Sequence, residues 1–129
     1  VRTGRNGIYA THAKWIEVPD CVLDGSWNNG GGQAYAGFTR SADCLFTDSV
    51  VRNYRHGPVV QFGAMGCVLS NSTFEGSDMQ WHAGWSTENL FENCVVDSRP
   101  KHGSYGFGAY ATRLCRPDAR SQRTSQCGL

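Results

Sequence analysis

Charge is scarce in this chain of 129 residues. Charged side chains make up 18% of it, and 12 Lys and Arg against 11 Asp and Glu leave a net charge of +1. That balance lacks the basic excess of a nucleic-acid binder or of a segment bound to an anionic membrane surface. No apolar run approaches the ~18 residues of a bilayer span. CxxC does not occur, which argues against a zinc ribbon or a thioredoxin-type redox pair. No apolar periodicity of 3.6 residues is present, which disfavours a helical repeat. A secretory leader is also missing and the first residue is Val, so the chain is expected to be a processed product or a fragment of a longer one.

Glycine and aromatic residues are plentiful instead. Sixteen Gly at a mean hydropathy of -0.43 call for many turns, and 12% aromatics argue against a disordered chain. The length suits one domain. Six Cys fit an oxidising compartment.

The chain repeats. Cys21, Cys44 and Cys67 recur at a 23-residue interval, and Asn89 follows 22 residues later. The segments read CVLDGSWN, CLFTDSVV, CVLSNSTF and NLFENCVV. Their third residue is apolar: Leu23, Phe46, Leu69, Phe91. Their fifth is Gly25, Asp48, Asn71 or Asn93, types that tolerate a left-handed backbone. This is the pattern of a short strand, a tight turn and a second short strand. Such strands bury a face only when stacked, at about 4.8 Å per layer. Cys21, Cys44 and Cys67 are then expected to form an inward ladder of thiols acting as small hydrophobes. Cys115 and Cys127 lie outside the repeat and could pair with each other.

HGPVVQFG at 56–63, SDMQWHAG at 77–84 and HGSYGFGAY at 102–110 follow the variable loops as return strands, and GIYATHA at 7–13 reads as an earlier one. With NSTF at 71–74 and NCVV at 93–96, residues 6–111 resemble the right-handed parallel β-helix repeats of the pectin-lyase-like superfamily. The resemblance implies an all-β solenoid of about four to five rungs. The β-helix segment would cover residues 1–112, followed by an irregular tail rich in Arg, Ser and Gln at 113–129. It also implies that chemistry sits on the outer face of the return strands and their flanking loops. Function would then be action on a polysaccharide, expected to be acidic, by β-elimination or hydrolysis, in a secreted or periplasmic setting. The alternative is a non-catalytic scaffold for glycan binding or surface attachment.

Candidate residues follow from this layout. Aligning Gly63 with Gly84 sets His82 opposite Gln61 and Trp81 opposite Val60; if Val60 and Phe62 face the core, Gln61 and His82 face out. The unperturbed imidazole has a pKa near neutrality, so His82 suits an acid/base role; a stacked or hydrogen-bonded histidine is the competing reading. Trp85, at the turn, and Trp81 are candidate sugar platforms, with packing under a loop as the alternative for Trp81. Counting from the anchors places Arg55 beside Asp78, and His56 beside Met79 and Lys101, with His102 next. Lys101 or His102 is an alternative base and Asp78 an orienting or acid group. Arg55 and His56 would bind anionic substituents, and Tyr105 completes the substrate set; a solvated Arg55–Asp78 pair is the alternative. Asn29, Arg52, Glu75 and Asp97 form a further column, read as a charge ladder. Calcium is conceivable there, but no carboxylate cluster on the active face supports it, and no metal or other cofactor is expected. Asn71-Ser72-Thr73 matches a glycosylation sequon, for which an asparagine ladder is the simpler account.

Overall fold

A computed structural model describes residues 2–28, 30–82, 84–97 and 113–115; of Asp78, Met79, Val96, Asp97 and 113–115 the backbone alone is described. The chain is a parallel β-helix built from β1 (Tyr9–Thr11), β2 (Glu17–Pro19), β3 (Val22–Asp24), β4 (Tyr35–Thr39), β5 (Leu45–Thr47), β6 (Val50–Arg52), β7 (His56–Gln61), β8 (Val68–Ser70), β9 (Thr73–Glu75), β10 (Asp78–His82), β11 (Leu90–Glu92), β12 (Val95–Asp97) and β13 (Arg113–Cys115). Three parallel sheets run along it, ordered β1-β4-β7-β10, β13-β11-β8-β5-β2 and β12-β9-β6-β3. From β1 to β12 every third strand therefore shares a sheet, and three strands make one rung; β13 extends the second sheet beyond β11.

The centre residue of each short strand fills the interior. Val18, Phe46, Leu69 and Phe91 stack from the second sheet, and Leu23, Val51 and Phe74 from the third. Burying such a side chain fully contributes about 1.5–3 kcal/mol, which strands of three residues can gather only by stacking. Phe46 and Phe74 rings meet at 6.0 Å, and Trp81 packs on Phe91 at 5.1 Å.

The turns between second and third strands are two residues long. Asp20, Asp48, Asn71 and Asn93 open them at φ of 50°, 51°, 48° and 50°. Asn and Asp reach this left-handed region at lower cost than most residues. The next residue turns inward and serves the backbone. Ser49 Oγ accepts the Cys21 N–H at 2.9 Å and donates to the Thr47 carbonyl at 2.7 Å. Ser72 Oγ accepts the Ser49 N–H at 3.1 Å and donates to the Ser70 carbonyl at 2.7 Å. At the corner ahead of the second sheet, Asn89 Oδ1 accepts the Cys67 N–H at 3.0 Å and Nδ2 donates to the Ala64 carbonyl at 2.9 Å. Asn93 Nδ2 donates to Asn71 Oδ1 at 2.7 Å, which is the asparagine ladder.

The first rung corrects the thiol column. Val18 pairs with Phe46 and Leu23 with Val51, so the first rung-to-rung interval is 28 residues. Cys21 therefore joins Ser49, Ser72 and Cys94, not Cys44 and Cys67. Asp20, not Gly25, holds the first turn, and Asp24, not Asn29, aligns with Arg52. The added length is the Gly-rich loop at 25–34, where the next two rungs use only 53–55 and 76–77. Cys21, Cys44, Cys67 and Cys94 are free thiols. Cys127 and the side chain of Cys115 lie outside the described residues, as does most of the tail.

Two glycines separate space from backbone strain. A Cβ on Gly37 (φ 142°) would collide with the Val59 carbonyl oxygen, whereas Gly63 (φ 79°) has open space around it. Gly37→Ala is expected to cost about 3 kcal/mol or more, and Gly63→Ala about 1 kcal/mol, in denaturant unfolding. Similar losses at both positions would contradict this packing. Burial also pushes the Cys67 thiol up from 9.0 to about 11. The folded state thus holds this proton more tightly than the unfolded chain. Its contribution is complete below pH 9 and is lost as pH rises toward 11, on the order of 2–3 kcal/mol. The slope of stability against pH in that window should flatten in Cys67→Ala.

Candidate functional site

Strand alternation gives the first sheet two chemically different faces. Ala36, Phe38 and Val60 belong to the hydrophobic core, and Trp81 packs against it. The period of two then sends Tyr35, Thr39, Gln61 and His82 to the opposite face. Register pairs Gln61 with His82 and Val60 with Trp81. Phe62, by contrast, does not enter the core. It follows the strand at φ 48°, is 44% exposed and lies on the outer corner.

Rings gather on this outer face. Tyr35 lies 4.9 Å from His56, His56 5.3 Å from His82, and Tyr35 6.1 Å from His82. Tyr9 closes one end by an edge contact to Tyr35 at 5.6 Å, and Phe62 the other by an edge contact to His82 at 6.4 Å. Tyr35 and His56 are buried, so His82, Tyr9 and Phe62 are the accessible members. Gln61 Nε2 donates to Tyr9 Oη. Burial pushes the Tyr9 phenol up, against the hydrogen bond of Gln61 and the positive charge of Arg40. Tyr9 is therefore a neutral hydroxyl at physiological pH. Gln61 is 2% exposed, and its Oε1 has no hydrogen-bond partner among the described residues.

The corner after the sheet carries the exposed aromatics. Counting back from the bridge of Met65 with Thr87, Trp85 occupies the place of Gly63. Both are left-handed, at φ 74° and 79°. A tryptophan is thus held where the neighbouring rung uses glycine, and it is 74% exposed. Arg40 stands on the same corner, its guanidinium 5.1 Å from the centre of the Phe62 ring.

The expected site residues distribute unevenly. His82 and Gln61 lie side by side on the outer face, and Trp85 is exposed at its corner. Trp81 turns to the core side. The connection at 76–77 is one residue shorter than that at 53–55, so Asp78 pairs with His56, not with Arg55. Arg55 donates to the Gly30 carbonyl at 3.4 Å and so ties down the Gly-rich loop. Lys101, His102, Tyr105 and the Asp78 side chain lie outside the described residues. In the charge column Arg52 Nε meets Glu75 Oε2 at 2.8 Å. Among the described residues no group of three His, Cys, Asp or Glu comes together to hold a metal ion, and no helix is long and apolar enough to cross a membrane. Tyr9, Tyr35, Thr39, Phe62 and Arg40 were not singled out from the sequence. The 28-residue first interval hid the relation of the two tyrosines to His56.

The chain matches no protein-family model, and it matches none of the curated proteins or solved structures compared with it.

Left-handed backbone at a non-glycine residue costs about 1–2 kcal/mol, partly offset by the lower entropy of the unfolded tryptophan chain. Trp85→Gly is therefore expected to raise stability slightly, by about 0.5 kcal/mol, in thermal or denaturant unfolding. A loss above about 1 kcal/mol would show that the indole is a packing residue after all.

Proposed function

We propose that this chain is the glycan-engaging part of a carbohydrate-active β-helix protein, similar in plan to the pectin-lyase-like superfamily. A secreted or periplasmic location suits that reading. The observation that carries it is the exposed indole of Trp85, held in a strained conformation on the corner beside His82. Strain of this kind is retained where a side chain is needed in the open. An exposed indole offers an apolar face to the C–H groups of a pyranose ring. The Tyr9 hydroxyl, half-buried on the outer face of the same sheet and bound by Gln61, adds a neutral hydrogen-bonding group.

Within this reading His82 is the acid/base. On an acidic polysaccharide it would take the proton alpha to the uronate carboxylate as the glycosidic C–O bond breaks. The electron pair of the C–H bond becomes the new C=C bond, and the leaving oxygen takes up a proton. Hydrolysis through the same acid/base is the related route. The stacking of His82 on His56 favours a second reading, in which the rings form a rigid binding floor and no bond is cleaved.

His82→Gln separates the two. The enzyme reading expects turnover, followed by the ultraviolet absorbance of unsaturated uronates or by new reducing ends, to fall about 10²–10⁴-fold. Polysaccharide binding in affinity electrophoresis should persist. Absence of turnover in the unsubstituted protein, with binding intact, would establish the scaffold. Loss of fold in the variant would make His82 a packing residue.

A further inference from the structure

We infer that Arg40 is the charge-selecting residue of this outer face, holding a carboxylate or sulfate group of the glycan at the exit corner of the first sheet. The inference rests on the glycan reading above and deepens it.

Arg40 directly follows β4, at φ 47°, and its N–H donates to the Gln61 carbonyl at 3.1 Å. The ladder thus fixes its Cα on the corner. Phe62, the corresponding residue of the next rung, is also left-handed and places its ring 5.1 Å from the guanidinium carbon. A ring contact of this kind orients the guanidinium without consuming its in-plane N–H groups. Arg40 is exposed and forms no ion pair among the described residues.

Three other basic groups among the described residues are engaged elsewhere. Arg55 donates to the Gly30 carbonyl. Lys14 pairs with Asp43 at 3.4 Å and lies over the Trp15 ring at 4.7 Å. Arg52 is bound to Glu75 on another sheet.

A second observation points to a ligand at the same place. The Gln61 side chain is almost wholly buried, yet its Oε1 lacks a hydrogen-bond partner among the described residues. Leaving a buried acceptor unmatched is costly. A sugar hydroxyl donating to Gln61 Oε1, next to an anionic group on Arg40, would satisfy it. Arg40 has the fork geometry for carboxylate or sulfate.

The test is binding of the whole chain to four probes by affinity electrophoresis and calorimetry: a polyuronate, the same polymer with its carboxylates esterified, a sulfated neutral-backbone polysaccharide and inorganic sulfate. The unsubstituted protein should prefer the polyuronate or the sulfated polymer over the ester. Arg40→Gln should erase that preference, weakening the anionic polymer about 10–100-fold and leaving the ester unchanged. Arg40→Lys should recover part of the loss, since the charge returns without the fork. Arg40→Gly suits the left-handed backbone and removes the charge, so it must reproduce the Arg40→Gln result if folding is not the cause. The stronger of the two anionic polymers identifies the source of the charge. Equal binding of acid and ester, or an unchanged preference in Arg40→Gln, overturns the role of Arg40 while the glycan reading stands. Binding of sulfate alone, or of none of the probes, overturns both.

Discussion

A coil built from strands of three residues must find partners for its backbone at every corner. The sheets serve the strand interiors, but at each bend an N–H turns toward the interior with no carbonyl opposite. Burying that donor unmatched would cost about 1–3 kcal/mol, and several such losses would exceed the stability of a small domain. Small polar side chains resolve it. Ser41, Ser49, Ser72 and Ser77 each accept the N–H of a residue in the preceding rung, and Asn89 does the same with an amide. Several also donate to a carbonyl two residues back, so one hydroxyl serves two rungs. Polar residues in the wall of an apolar interior are thus a condition of stacking.

Rung register is a consequence. Each corner hydroxyl reaches its partner only when one rung lies squarely above the next. The same alignment brings Tyr35, His56 and His82 into ring contact on the opposite face of the first sheet. The rigidity of the candidate site is therefore inherited from the core. A loop can change length without disturbing it, and residues 25–34 do so between β3 and β4.

The sequence shows this architecture where side-chain chemistry repeats. The columns Cys44–Cys67–Asn89 and Phe46–Leu69–Phe91, the left-handed Asp and Asn turns, and the pairing of Gln61 with His82 were all legible. They depend on strict local requirements, an inward apolar residue or a positive φ, that leave marks at fixed spacing. The first rung is hidden in the sequence because Cys21 and Cys44 keep the spacing of the later rungs. Cys21 stands in the Ser49 column one rung earlier, its thiol donating to the Pro19 carbonyl as Ser49 donates to that of Thr47, so residue type alone does not distinguish the columns. The corner role of Ser41 and Ser77 was not legible, since a lone serine has no periodic signature. Strict alternation would send Phe62 to the core, but alternation ends where the strand does, and φ 48° swings the ring outward.

The departures from the repeat are as informative as the repeat itself. A solenoid in which every corner obeyed the backbone rule would have glycine, asparagine or a small residue at each left-handed site. Asp48, Asn71 and Gly63 conform. Arg40, Phe62 and Trp85 do not, and all three stand on the corner bordering the outer face of the first sheet. Large side chains gain nothing from a left-handed backbone, and Phe62 and Trp85 also expose apolar surface to water. His12 and Trp15 belong to the same side of the coil, whereas the turn between the second and third sheets uses only Asp and Asn. The costly conformations are therefore concentrated beside one face, and that face carries His82 and the unmatched oxygen of Gln61. Stability alone gives no reason for this asymmetry; the proposed glycan contact at the first-sheet corner would.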